Sequence, residues 1–389
     1  MRHLYLILVI TSFLVLAYCG KGNAASQLDT SSETEEPQKV SICKDRAPVS
    51  FSLEKKVRVA DITEARIAVS PYSDRIFVYG RSLRSKKPEM LVKLFTKDLE
   101  FVGEKVLLYG QGPGEMGATN IMSIDRENIY ISVNSNFAWN IYDLDLNFLR
   151  MEKYKPSIMG AFELEDHSRF FIDPTQNRDE KKRRILTNTF RVIDFPKMAT
   201  LRAIFKTKPY TMHEEKVITS QRPRFVVGKN TDLSFFYREG YVYLMFCGDY
   251  HMLKVDLEGR ISKNVVAEFE QLYLDEAKEL EYIEELRLNT RRFKCNKKIP
   301  PASCTIPLQK GFIVTRRKDY HINCQGEIEG DYFSYDLESK GKVSVPCFLN
   351  AGKMKLLWML QTFKYEGEKF YLVKEEDDTG FVERWDVRE

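Results

Sequence analysis

Along most of the chain, apolar and polar positions alternate in short runs rather than recurring at helical spacing. Asn128 to Ser132, Tyr241 to Phe246 and Lys369 to Val373 are examples, rich in Val, Ile, Tyr and Phe. A period of two with this residue usage predicts strands with one face turned to a core. The runs come in an ordered series. Six times an aromatic-rich run ends in an acidic turn: Leu94 to Asp98, Asn140 to Asp143, Arg191 to Asp194, Leu253 to Asp256, Phe333 to Asp336 and Glu383 to Asp386. Each follows a second run: Arg75 to Tyr79, Asn128 to Ser132, Arg169 to Asp173, Tyr241 to Phe246, Gly311 to Thr315 and Lys369 to Val373. After the acid, segments such as Leu144 to Asn147 and Leu257 to Arg260 have the polarity of a hairpin turn into an outer strand.

The second unit is the cleanest, with strands over Ile121 to Asp125, Asn128 to Ser132, Trp139 to Asp143 and Phe148 to Tyr154. A four-stranded unit of about 45 residues is the size of a propeller blade. The expectation is an all-β chain folded as a six-bladed β-propeller with four-stranded blades. The sixth unit shows three strands, and Ser50 to Val59 is the N-terminal strand that would close it. Such closure removes two exposed sheet edges. Phe269, Leu272, Ala277, Leu280 and Ile283 fall on one helical face, which predicts a small helical insertion between blades four and five, capping the disc. Met354 to Phe363 reads as a partly helical approach to the last blade's inner strand.

The N-terminus has a different pattern. Residues 1–18 carry a short basic start and an apolar run from Leu4 to Ala17, too short for a spanning helix but suited to a signal peptide. Leu16 to Gly20 resembles a bacterial lipobox, which implies lipidation of Cys19, although Tyr18 stands where that pattern has a small residue. Residues 19–47 would then be the lipidated Cys and a polar, flexible tether, with the propeller over 48–389. Lys and Arg number 60 against 56 Asp and Glu, a balance that points away from nucleic acid. Of the six later cysteines, Cys295 and Cys304 flank Pro300 and Pro301 and form the favoured disulfide, while Cys247 ends an apolar strand and reads as a buried small hydrophobe.

Gly110, Gly112, Pro113, Gly114 and Glu115, followed by the strands at Ile121 and Asn128, resemble an NHL-type blade and, more closely, the TolB-like six-bladed propeller lipoproteins of Gram-negative bacteria. That resemblance implies the fold and a cell-envelope location, lipid-anchored to the outer membrane or facing the periplasm. It implies no catalytic residue. The glycines themselves suit a turn between blades, with Glu115 tying down the loop's backbone donors.

Propeller ligands commonly sit on the face made by the loops between second and third strands. On this face the sequence places Arg81 and Arg84, Trp139, Tyr250 and His251, and the cluster Arg316, Arg317, Tyr320 and His321. Arginine beside aromatics is suited to carboxylates or phosphates. The expected function is that of a non-catalytic envelope lipoprotein, held to the membrane by its anchor and binding an anionic glycan, peptide or protein partner. The alternative is a metal-dependent hydrolase or lyase with a divalent ion in the central channel, near Glu64, Asn120 and Asp232. No Gly-x-Ser-x-Gly elbow or His-Glu-x-x-His pair supports an enzyme, and no cofactor is expected.

Overall fold

The computed structural model describes residues 36–84, 89–110, 112–115, 122–133, 138–153, 161–163, 169–178, 184–194, 199–206, 210–211, 215–218, 223–226, 233–272, 302–316, 327–346, 363–376 and 379–389, with backbone alone between 161 and 226. The chain is an all-β propeller, and among the described residues there is no helix. Sheet one is Ile62–Val69, Ile76–Ser82, Glu89–Phe95 and Phe101–Leu108; sheet two is Met122–Ile124, Asn128–Val133, Ala138–Asp143 and Phe148–Lys153. Sheet three is Ala161–Glu163, Arg169–Arg178, Arg184–Asp194 and Ala199–Lys206, with Tyr210–Thr211 added beside its third strand. A two-stranded ribbon, Glu215–Ile218 with Pro223–Val226, follows. Sheet four is Leu233–Arg238, Tyr241–Phe246, His251–Asp256 and Ile261–Ala267; sheet five is Ala302–Pro307, Gly311–Arg316, Glu327–Ser334 and Ser339–Pro346. Sheet six is Phe363–Glu366, Lys369–Glu376 and Thr379–Arg388, completed by Ser50–Val59.

The core lies between sheets, because sheets one, five and six bury both faces against their neighbours. Ile67, Val78 and Leu91 of sheet one meet Tyr371, Val373 and Val382 of sheet six, while Phe77, Tyr79 and Val92 meet Ile129, Ile131 and Tyr142 of sheet two. Tyr243, Met245 and Met252 of sheet four meet Phe312, Val314 and Phe333 of sheet five, and Ile306 and Ile313 meet Phe370 and Leu372 of sheet six. Packing is thus described for a run of five blades, four–five–six–one–two, rather than the six expected; sheet three enters by its backbone pairing alone.

Four of the outer hairpins are built alike. Thr96, Asp143, Asp256 and Ser334 each head a turn in which their side-chain oxygen accepts the backbone N–H four residues on, at 3.1, 2.7, 2.9 and 3.4 Å. The residue three after each head has positive φ: Leu99 57°, Leu146 64°, Gly259 87° and Leu337 61°. Leucine is strained there, but all three leucines are buried between sheets, which offsets the strain. This corrects the register of the repeat. In sheets one and five the turn is headed by Thr96 and Ser334, not by Asp98 and Asp336 two residues later, because any short side-chain oxygen can cap the turn.

Two further expectations change. The tether was expected to run free to residue 47, yet Gln38–Val40 pairs in parallel with Ile261–Ala267 as a fifth strand of sheet four. Ala47 N–H then donates to Lys342 O and Lys342 N–H to Asp45 O, both at 2.7 Å, fastening the same segment to the outer strand of sheet five. Only then does the chain enter sheet six. As for the helical insertion, Phe269 to Leu272 are irregular and Phe269 packs beside Tyr250, with ring centroids 6.1 Å apart. The remainder of the predicted helix, and the segment from Met354 to Gln361, lie outside the described residues.

Candidate functional site

The second strands end, and the third begin, on the face where the sequence placed ligand contacts. At the junction of sheets four and five, the turn after Tyr241–Phe246 carries Tyr250, wholly buried and with φ 52°. Such a conformation is rare for a bulky residue and persists only where its surroundings fix it. Tyr250 Oη donates to Asp331 Oδ2 at 2.5 Å across the junction, and Arg316 Nε donates to the same oxygen at 2.6 Å. Asp331 lies in the third strand of sheet five with no exposed surface, and its Oδ1 has no partner among the described residues. The Arg316 side chain is 28% exposed, with its Nε held by Asp331. Burial lowers the pKa of Arg316, but the hydrogen bond and charge of Asp331 outweigh it, so the group stays charged. Burial, the Asp331 charge and the hydrogen bond push the Tyr250 phenol well above its usual range. The result is a fixed cation at the mouth of a blade junction, aimed by a buried carboxylate.

The junction of sheets one and two places Asn140 at the same position, three residues before the turn head. Asn140 Nδ2 donates to the carbonyls of Gly112 (3.4 Å) and Glu115, and Tyr142 Oη donates to Gly114 O at 3.0 Å. Gly112 N–H donates to Glu115 Oε2 at 2.7 Å, so the glycine loop is held by its own glutamate. Gly114 has φ +77°, and a Cβ on Gly110 would lie 1.9 Å from Glu115 Oε2. Pro113 sits in the middle of this turn. Among the described residues of the loop, the Gly112 N–H and the carbonyls of Gly112, Gly114 and Glu115 are engaged within the protein.

The remaining candidates separate clearly. Arg84 is engaged by Asp61 (Nε to Oδ2, 2.8 Å) and by both carboxylate oxygens of Glu104, which places it in a surface ion network. His251 Nε2 lies 2.7 Å from Asn264 Oδ1 and its ring stacks on Phe246. Trp139 is a core residue, 2% exposed. Arg81 is exposed on the second strand of sheet one. Cys247 is buried, with Sγ 3.8 Å from Met245 O. Arg317, Tyr320, His321, Cys19, Cys295, Asn120, Asp232 and the side chains of Cys304 and Glu64 lie outside what is described. Among the described residues, no cluster of His, Cys, Asp and Glu suits a metal ion. Sequence reading missed Asp331 and its link to Tyr250. Asp331 falls in phase with Glu327 and Glu329 in the alternation of its strand, so the sequence carries no signal of its burial.

No family model matches the chain, and no curated protein matches it. Solved structures do. A member of the DUF4221 family from Bacteroides vulgatus aligns over 88% of this chain and 99% of its own, with 13% identity and a TM-score of 0.51. A protein of Bacteroides fragilis described as exported aligns over 91% and 100%, with 12% identity and a TM-score of 0.49. Streptogramin B lyase aligns over 87% and 98%, with 7% identity and a TM-score of 0.40. At these identities the likeness is one of fold, that of a β-propeller.

Proposed function

We propose that the chain is a non-catalytic cell-envelope propeller, anchored through Cys19, that binds an anionic partner on the face where Arg316 emerges. The apolar N-terminal run with Cys19 supports export and anchoring. The observation that carries the binding reading is the Arg316 guanidinium, fixed at Nε by Asp331 and part exposed at the mouth of the four–five junction. A pre-aimed guanidinium spends little entropy on grasping a carboxylate. Trp139 and Tyr250 are core residues, so neither supplies the stacking surface a sugar ring would use. An acidic peptide or protein segment is therefore the partner this face favours over a glycan.

The test is thermal unfolding of the full chain in detergent with acidic peptides, acidic glycans and neutral controls. A ligand at about 100 times its Kd adds about 2.7 kcal/mol. A shift with acidic peptides that disappears in the Arg316→Gln, Arg317→Gln variant is the expected result. The same shift in that variant would overturn the reading.

A further inference from the structure

The outer strands of the five sheets described with side chains differ in how they guard their free edges. An outer strand presents unpaired N–H and C=O groups to any other strand, and proteins guard such edges with charge, proline or cover. Ile261–Ala267 is covered by Gln38–Val40, and Ser339–Pro346 by residues 45–47. Ser50–Val59 carries Glu54, Lys55, Lys56 and Arg58, and Phe148–Lys153 carries Arg150, Glu152 and Lys153. Phe101–Leu108 is the exception. It has no proline and, among the described residues, no cover, and Phe101, Val102, Val106 and Leu108 are 58, 45, 44 and 54% exposed.

Its two charges are both engaged within the protein. Both carboxylate oxygens of Glu104 are held by Arg84, and Lys93 Nζ lies 3.7 Å from Oε2. Lys105 Nζ donates to Leu146 O at 2.5 Å and to Asn147 Oδ1 at 3.3 Å, on sheet two. Glu104 is thereby neutralised, and Lys105 is held toward sheet two, away from an approaching strand.

We propose that this edge pairs with the same edge of a second copy. The segment is nearly palindromic about Glu104: Val102 and Val106 stand two residues either side, Gly103 and Lys105 one, Phe101 and Leu107 three. An antiparallel pair about a twofold axis at Glu104 sets Val102 opposite Val106 of the other copy, on the exposed face. It also sets Gly103 opposite Lys105, leaving room for the lysine stem. The two Glu104 carboxylates then face each other, each neutralised by its own Arg84. Arg84 thereby acts on the interface without lying on the paired edge. The product is one continuous sheet of eight strands through two blades.

The experiment is the mass of the full chain in detergent, by light scattering across a concentration series. A concentration-dependent dimer is expected. Val102→Lys with Val106→Lys, both at exposed positions, weakens it by about tenfold or more. Arg84→Gln weakens it several-fold, because opposed like charges destabilise a strand pair. The register has its own test. Glu104→Cys gives a dimeric disulfide on oxidation, since directly opposed Cα atoms lie within disulfide range, about 4.5–5.5 Å. Lys105→Cys does not, beyond the background of the unsubstituted chain. A chain that stays monomeric at all concentrations overturns the proposal. So does a dimer indifferent to the paired lysines, or one in which both cysteine positions cross-link equally.

Discussion

The one–two and four–five junctions use the same position of the repeat for the same task and solve it with different chemistry. Asn140 and Asp331 both stand three residues before a turn head and both are fully buried; Asn140 reaches the glycine loop that follows sheet one, and Asp331 reaches Tyr250 of sheet four. Asn140 is neutral, and its amide donates to two carbonyls of a loop already closed by Glu115. Asp331 carries charge, which has to be compensated, and the compensating cation is Arg316. Because a guanidinium is long and the strand ends there, the cation reaches the surface. A neutral latch leaves a closed junction, whereas a charged latch leaves a group at the mouth of the blade. Packing and exposed charge are therefore joined at the second junction and kept apart at the first.

The exchange that strains this comparison most is Asn140→Asp. A carboxylate there faces the carbonyls of Gly112 and Glu115 with no cation to meet it, and a loss of about 3–5 kcal/mol is expected in urea unfolding at pH 7. The introduced carboxyl has a folded pKa above its unfolded value. The deficit is therefore small below about pH 4 and grows as pH rises. A deficit that does not depend on pH would mean that the charge is not the cause. Asp331→Asn should cost less, about 2–3 kcal/mol, because the released Arg316 is part exposed and can turn to water. Equal losses in the two variants would remove the distinction between a neutral and a charged latch.

The tyrosines allow a gentler test. Burial pushes Tyr79 up to about 12 and raises Tyr142 and Tyr250 as well, so phenols at both junctions are held neutral. A phenol whose folded pKa is raised contributes stability that is intact below about pH 10 and lost as pH climbs toward the folded value. Alkaline unfolding monitored by tyrosinate absorbance should show these rings ionising together with loss of structure. Tyr250→Phe should reduce the alkaline sensitivity while lowering stability at pH 7 by about 1–2 kcal/mol through the lost bond to Asp331. The smallest effect is expected at the turn heads. Ser334→Ala removes one 3.4 Å contact and should cost about 0.5 kcal/mol, while Asp256→Ala, with acceptor bonds at 2.9 and 3.0 Å, should cost about 1 kcal/mol. For Asp256, burial acts upward, but the hydrogen bonds from Arg260 and Glu258 hold its carboxyl below the usual range. Its contribution is present above about pH 4 and fades as pH falls.

Much of the architecture could be read from alternation alone. The strands of sheet two, and the closing strand Ser50–Val59, fall where the period-two pattern puts them, because one-sided burial leaves a local imprint every second residue. The turn register was off by two residues in sheets one and five. A search for aspartate passes over Thr96 and Ser334, although their oxygens do the same work. The candidate site was legible only in part. Arg316 stands out as a cation at a strand end, but His251, Trp139 and Arg84 look the same in sequence and are committed to Asn264, the core and Glu104.

What the sequence determined by itself was the repeating strand pattern, the closure of the last blade by the first long strand, and the turn chemistry. All three depend on interactions between near neighbours or on a periodicity that the chain carries openly. Tertiary structure alone decided that the supposed tether is fastened along two sheet edges, that Asp331 joins Tyr250 to Arg316 across a junction, and that Phe101–Leu108 is left bare among the described residues. The partners in the first two are separated by 81 residues in one case and by more than 200 in the other. Such pairings follow from which sheets lie side by side, and a pattern read along one strand contains no record of its neighbour.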